Sequence, residues 1–376
     1  MVSRDTAVEL DGNAPVATGR YGSPRASKQV EPFVDPATNP AVLQQQDYAE
    51  LKRRIVAAGL LAKQPGYYVF NASVRLALLG ASIALLFIIN SLWLQLLNAA
   101  FLAFAFTQVG YLGHDGGHRQ IFRSPHRNYV VGLTINFLLG ISRTWWVDTH
   151  NEHHADPNDL DIDPHTALPV FAFSEEQAHS KEGFLRHIVG YQGFYFFPVL
   201  LLEGVGIRAA SIQFLLAREV KGKWREASLM VLHFAIYFSL LFYALSWWHA
   251  VLFIAVHQSL LGLYMGSVFA PNHKGMPTFS REDNIGFLRR QILTSRNVSG
   301  NPVADFWYGG LNYQIEHHLF PSMPRNKLKE AQPIVRAFCE ERSIPYAVSG
   351  AFRSNVEILQ FLHQVSAPLR RTPHNA

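Results

Sequence analysis

Three histidines stand at positions i, i+3 and i+4 in the stretch Thr149-His150-Asn151-Glu152-His153-His154. A helix turns once every ~3.6 residues, so this spacing puts three imidazoles on one stripe. A buried imidazole needs a partner at both ring nitrogens, which makes three neighbours poor packing material. They suit a transition metal, which takes one nitrogen while a carboxylate or carbonyl orients the other. Taken alone, the cluster would serve equally well as a solvated polar face. Two similar clusters elsewhere shift that balance. Gly113-His114-Asp115-Gly116-Gly117-His118 offers a pair at i and i+4, and Gln314-Ile315-Glu316-His317-His318 repeats the first frame with Gln in place of the leading His.

Adding His273, in Pro271-Asn272-His273-Lys274, gives the candidates His114, His118, His150, His153, His154, His273, His317 and His318. So many imidazoles exceed the coordination of one ion and suit two, with zinc, copper, iron and nickel all open on ligand type. Asp115, Asp148, Glu152, Asp156 and Glu316 flank the clusters and read as orienters of the rings, or equally as surface charges. Asn272 and Gln314 could hold a metal-bound water or ligate weakly. His257 sits inside an apolar run and reads as a hydrogen-bonded packing residue. His126, His165, His179, His187, His233, His249, His363 and His374 are unclustered and read as ordinary.

The elements that must position these groups are apolar. Of 376 residues, 49% are hydrophobic and 16% charged, well below the ~25% charge usual for soluble domains. No Asp, Glu, Lys or Arg occurs from Leu76 to Gly113 or from Ala227 to His273. Since about 20 apolar residues cross a bilayer, each run predicts two crossings, at about 76–92, 94–112, 227–246 and 248–270. Asn90-Ser91-Leu92-Trp93 and Ser246-Trp247-Trp248-His249 form the turns, with tryptophans at the interface. The expected fold is an all-α integral membrane protein: four transmembrane helices in two hairpins, capped by a helical cytoplasmic domain.

Basic residues lie outside the hairpins, among them Arg119, Arg123, Arg127, Arg208, Lys223, Arg225 and Lys274. This places both termini and the central segment in the cytoplasm. The even number of crossings then returns all the histidine clusters to one face. The apolar run Gly190 to Leu216, broken by Pro198, Glu203 and Arg208, reads as an interfacial or partly embedded helix pair.

Residues 1–45 read as a disordered arm without a cleavable signal peptide, 46–365 as one domain and 366–376 as a flexible tail. Amphipathic helices are expected over Tyr48–Leu61 and Pro324–Arg342, the latter weakened by Pro333, and a short helix over Val356–Val365. The lone Cys339 excludes a disulfide framework and reads as a buried small hydrophobe.

Two apolar hairpins with HxxxH, HxxHH and QxxHH boxes resemble the membrane fatty acid desaturase family, over roughly residues 45–365. The QxxHH form, followed by Leu319-Phe320-Pro321, is similar to the front-end branch, which desaturates between an existing double bond and the carboxyl end. The resemblance implies a non-haem di-iron centre held by the histidines named above, O2 as co-substrate, and a long-chain acyl substrate receiving a cis double bond. Breaking an unactivated C–H bond then calls for redox iron in place of zinc.

Many front-end enzymes carry a fused cytochrome b5 domain with a His-Pro-Gly-Gly haem motif. No such motif occurs here, so no bound haem is expected. Electrons would come from a separate donor, of ferredoxin or cytochrome b5 type, with a flavin reductase. Trp145, Trp146, Trp307 and Tyr308, just ahead of the second and third boxes, are candidate walls of an acyl slot. Basic residues on the cytoplasmic face could hold a phosphate-bearing carrier or an acidic electron donor.

Two other function classes compete. A related membrane di-iron hydroxylase, acting on lipid, alkane or carotenoid, would use the same ligands. A non-catalytic scaffold or metal transporter would need a polar path through the crossings, and only His257 and Gln258 approach one. Nothing suggests a nucleic-acid partner.

Overall fold

A computed structural model describes residues 40–283 and 285–370; the remainder of the expected arm and tail, His374 included, lies outside the described residues. Among the described residues, four helices are long and apolar enough to cross a membrane, or six elements if each of two bent helix pairs counts as one span. In chain order, α1 (Pro40–Ala57) precedes the first of them, α2 (Pro65–Ile88), which is followed by α3 (Leu92–Gly117). Next come α4 (Pro125–Leu139), α5 (Arg143–Ala155), α6 (Glu175–His179), α7 (Gly183–Val189), α8 (Gln192–Leu200) and α9 (Glu203–Ala217). The other two long apolar helices are α10 (Lys223–Ala244) and α11 (Trp247–His273).

All four differ in extent from the expectation, for identifiable reasons. Helix α2 starts ahead of Leu76 and takes in Arg75, which is buried, donates to the Gln108 carbonyl at 2.6 Å and lies 5.4 Å from the Tyr111 ring. A charge marks a helix boundary only when it has no internal partner, and Arg75 has one. Helix α10 likewise begins with charged residues, Lys223 to Glu226. Helices α3 and α11 run 26 and 27 residues, about 40 Å each at 1.5 Å per residue, against a hydrocarbon layer of about 30 Å. Their last turns therefore continue past the apolar stretch, carrying His114 on α3 and Asn272 and His273 on α11.

Helix α3 is the centre of the apolar layer, packed between α2 and α11. Leu102, Phe106 and Val109 meet Leu79, Phe253 and Leu261 there in one buried cluster. Helix α10 rests more against α4 than along α11, so the second pair of long helices is not closely packed. Two shorter pairs are sharply bent, α4–α5 by 109° and α8–α9 by 75°. The second is the helix pair expected over Gly190–Leu216, with its break at Leu201 and Leu202, just past Pro198. The first was not expected. Gly140 makes that bend, in the left-handed region at φ 71° and ψ 42°, where a glycine pays no steric penalty.

The polar part holds α12 (Phe287–Leu293), α13 (Pro302–Trp307), α14 (Gln314–Leu319), α15 (Arg325–Glu341), α16 (Ala351–Val365) and α17 (Ala367–Arg370). Leu51 and Ile55 of α1 pack with Leu288, Leu319, Leu328 and Phe338 in a second core, and Arg54 makes a paired contact to Glu341 at 2.8 Å on both nitrogens. Helix α1 thus takes in residues 40–45, assigned above to the arm. Residues 366–370 are not loose either: Ser366 and Arg370 both donate to the Gly190 carbonyl. Helix α15 continues through Pro333, and α16 begins ahead of Val356. Two short parallel strands, β1 (Asn297–Val298) and β2 (Val348–Ser349), tie the segment before the third histidine box to the C-terminal region.

Candidate metal centre

Each histidine cluster sits where an element ends or restarts. His114 closes α3 and His118 is its C-cap; His150, His153 and His154 line α5; His273 ends α11; His317 and His318 lie in the short α14. These elements bring them into two groups. Ligand atoms of His114, His118, His150 and His317 lie within 4.8 Å of one another, as do those of His153, His273 and His318. His154 stands between the groups, its ring stacked 4.1 Å from His318 and edge-on to His118 at 4.5 Å.

The donor chemistry fits metal binding. Both ring nitrogens of His154 and His317, and the Nε2 atoms of His114 and His318, are buried without a hydrogen-bond partner, an arrangement that costs stability unless something else takes the lone pairs. The Nε2 atoms of His118 and His150 face each other at 2.8 Å and those of His153 and His273 at 3.4 Å. Burial, reinforced by neighbouring imidazoles, holds His317 and His318 well below the ordinary histidine pKa, in the neutral form a metal accepts.

Four of the rings are oriented through the opposite nitrogen. His114 Nδ1 donates to Asp115 at 3.2 Å, and Asp115 is paired with buried Arg325 at the start of α15. His153 Nδ1 donates to Asp163 at 2.8 Å, His273 Nδ1 to the Thr294 carbonyl at 3.0 Å, and His318 Nδ1 to Gln291 Oε1 at 2.8 Å. Gln291 also donates to the His154 carbonyl at 3.0 Å, locking α12 to α5. With Nδ1 protonated, Nε2 is left to face the centre. The Gln314 amide nitrogen lies 2.9 Å from His273 Nε2, and Asn272 Nδ2 donates to Gln314 Oε1 at 3.2 Å, so both amides border the second group.

Of the expected orienters, only Asp115 reaches an imidazole. Glu152 is exposed, being two residues, about 200°, around α5 from His150. Asp156, past the helix end, lies 3.7 Å from Arg290. Asp148 and Glu152 share a shallow groove with residues of α9. Glu316 accepts from Tyr346 at 2.6 Å and Asn297 at 2.8 Å, and burial pushes its carboxyl up to about 7; it braces α14 instead of orienting a ring.

Asp163, Gln291, Thr294 and Arg325 were missed. The acidic run Asp156, Asp159, Asp161, Asp163 after the second box was a signal for the first of them. His165, read above as ordinary, has its ring 4.5 Å from His153 and its Nδ1 3.8 Å from Asp163. His257 accepts or donates at Nδ1 with the Tyr237 hydroxyl at 2.7 Å, inside the apolar layer.

The aromatic candidates separate. Trp146 stacks on His150 at 4.5 Å, and a Cβ at Gly117 would overlap its ring. Trp145 points away, into the groove with Asp148. Trp307 packs on Tyr264 at 4.1 Å and its carbonyl accepts from Tyr111 and Tyr264 at 2.8 and 2.7 Å; Tyr308 is buried in the same cluster.

Helix α5 is aimed by two charges at the α4–α5 bend. Arg208 Nη2 donates to the Leu139 carbonyl at 2.8 Å, at the C-terminal end of α4. Buried Glu226 accepts from Ser142 Oγ at 2.7 Å, Thr144 N at 3.0 Å and Thr144 Oγ1 at 2.7 Å, at the N-terminal end of α5. Each charge complements the helix end it touches.

A helical chain whose apolar helices end in a buried histidine cluster defines a class, the multi-pass membrane proteins whose grouped histidines could hold metal ions. The comparisons make the class specific. The model of the fatty acid desaturase family matches residues 91–350, and the chain belongs to that family.

Among curated relatives, an acyl-lipid (9-3)-desaturase of Physcomitrium patens is 31% identical over 335 residues, covering 85% of this chain and 63% of that protein. The delta(6)-fatty-acid desaturase fat-3 of Caenorhabditis elegans is 32% identical over 338 residues, covering 85% and 75%. A delta(8)-fatty-acid desaturase of Borago officinalis is 30% identical over 347 residues, covering 86% and 76%. The chain therefore spans less than two thirds of the moss protein's length.

Proposed function

We propose that this protein is an O2-dependent di-iron desaturase that introduces a cis double bond into a long-chain acyl substrate, on the carboxyl side of an existing one. The observation that carries the reading is the convergence of histidines from four separate segments into two adjacent groups, four of whose rings are oriented by hydrogen bonds. The relatives' names, delta-6, delta-8, delta-5 and 9-3 desaturases, support the acyl substrate and the front-end position.

Two irons would supply O2 activation and removal of two hydrogens, with two electrons and two protons completing the conversion of O2 to water. His114, His118, His150 and His317 would hold one, and His153, His273 and His318 the other, with His154 between them. The second group has fewer imidazoles, and Asn272 and Gln314 border it, suited to hold a water there. Asp115, Asp163, Gln291 and the Thr294 carbonyl keep the rings in the ligating tautomer. Trp146 closes one side of the first group.

The termini and the centre face the cytoplasm in this reading. Helices α3 and α11 both carry ligands at their C-terminal ends, while Trp93 and Trp247, at their starts, are 74% exposed. Such tryptophans suit a membrane interface. Electrons come from a separate donor protein.

The test is expression in a host lacking polyunsaturated lipids, with fed fatty acids and mapping of double bonds in the products. A product lighter by two hydrogens is expected. A product heavier by one oxygen would make the protein a hydroxylase and overturn the reading.

A further inference from the structure

His153 meets the second histidine group with its Nε2, 3.4 Å from that of His273, and turns Nδ1 the other way, to Asp163 at 2.8 Å. Asp163 lies between α5 and α6, and its buried carboxylate is fixed by main-chain amides at both oxygens. Asn158 N donates to Oδ2 at 2.9 Å and His165 N to Oδ1 at 2.9 Å. His165 brings a further imidazole to this carboxylate. Its ring lies 4.5 Å from that of His153, its Nδ1 is 3.8 Å from Asp163 Oδ1, and its side chain is 48% exposed. One ligand atom from each of His153, Asp163 and His165 lies within 4.8 Å of the others. That is the spacing of the two histidine groups, here open to solvent on the His165 side.

We infer that His153, Asp163 and His165 form a third metal position, a peripheral site for a zinc-class divalent cation, whose occupation disturbs the second iron position through the His153 ring. The coupling to iron rests on the desaturase reading; the cation site itself does not. Two imidazoles, a carboxylate and a water make a four-coordinate zinc set, whose bonds of about 2.0–2.2 Å place tetrahedral ligand atoms about 3.4 Å apart. The separations of 2.8 Å and 3.8 Å bracket that value, and the exposed His165 ring can supply the adjustment. Calcium and magnesium prefer oxygen throughout, and the set holds no thiolate for softer ions. Zinc takes the place of the proton shared by His153 Nδ1 and Asp163; that proton leaves to water and no electron moves. One ring then links both positions, and a dication replaces the hydrogen bond that orients His153. Lys274 tempers the affinity. Its field reaches Asp163, while its Nζ donates to the His165 carbonyl at 2.9 Å and lies 3.9 Å over the Phe173 ring. The site is therefore reversible, and it makes the second iron position responsive to free zinc.

The test uses the full chain, loaded with 57Fe, in nanodiscs of phosphatidylcholine, titrated with zinc chloride. Zinc and iron bound per chain are counted after equilibrium dialysis, and Mössbauer spectra are recorded with and without zinc. The variant is His165→Ala, which removes the half-exposed ligand and leaves His153 and Asp163 in place. His179→Ala, an exposed histidine ending α6, is the control.

The inference predicts one zinc taken up per chain without loss of iron, and a change in one of the two iron signals. His165→Ala should weaken zinc uptake about tenfold or more, with iron content and zinc-free spectra unchanged, while His179→Ala behaves as the unaltered protein. Equal zinc affinity in His165→Ala and the unaltered protein overturns the site. So does uptake of zinc matched by release of iron, which would put the zinc among the histidine groups, and so does the absence of bound zinc at about 1 mM, an affinity too weak for a built site. Zinc held through His165 with both iron signals unmoved refutes the coupling. Zinc held through His165 in a protein that carries no iron pair upholds the site and makes the desaturase reading fail alone.

Discussion

Replacing Glu226 with Ala removes a buried carboxylate that accepts three hydrogen bonds from the first residues of α5. The loss leaves the Thr144 amide and the Ser142 and Thr144 hydroxyls short of an acceptor, at about 1–3 kcal/mol for each group left unsatisfied. The hydroxyls can rotate toward other partners, so about 3–5 kcal/mol in all is the expected loss from the α4–α5 bend. That energy holds the helix carrying His150, His153 and His154, and at about 1.4 kcal/mol per tenfold it corresponds to a weakening of metal affinity of at most about 10²–10⁴. The assay is iron per chain after purification and a metal-competition titration, with circular dichroism to verify helix content.

Glu226→Gln, which keeps one acceptor oxygen, should recover part of the iron. Leu241→Ala, a buried position on the same helix, should lower thermal stability by about 2–5 kcal/mol yet keep its iron. If Glu226→Ala retained full iron, or lost it no more than Leu241→Ala at matched stability, the bend would not be what aims the second box.

Three further outcomes are expected. Asp163→Ala should lower metal affinity about 10- to 100-fold by freeing His153 to turn, read by competition with a chelator; a change under twofold would remove Asp163 from the support of the centre. Gln314→Ala should lose less iron than His317→Ala, and equal losses would make Gln314 a ligand. Burial pushes the Cys339 thiol up to about 12, so at pH 8 roughly one thiol in ten thousand is ionised and alkylation should be negligible until denaturant is added; fast labelling of the native protein would contradict the packing of α15.

The clustering of the histidines was legible because spacing on a helix fixes direction: His150, His153 and His154 share a face whatever the rest of the chain does. The same rule, applied to Glu152, would have turned it away from the centre. Asp163, ten residues past His153, was signalled only by its acidic run, whereas Gln291 and Thr294 reach His318 and His273 from a helix and its end more than twenty residues away, where no periodicity connects them. Arg75 was taken as the edge of an apolar run, and only its contacts with Gln108 and Tyr111 show that a helix can carry it inward. The α4–α5 bend turns on Gly140 and on charges from α9 and α10, a tertiary arrangement that neither α4 nor α5 encodes alone. The four apolar helices were legible from charge depletion, whereas their ends lie where buried partners such as those of Arg75 let a helix run past the apolar stretch.

The central claim is that scattered histidines make one two-metal centre. Mössbauer spectroscopy of protein purified with 57Fe, together with iron counted per chain, tests it most directly. The account predicts about two irons per chain in high-spin, nitrogen-rich sites, with iron lost from membrane-inserted His118→Ala and His153→Ala proteins. One iron or none in the unaltered protein, or full iron in either variant, would contradict it.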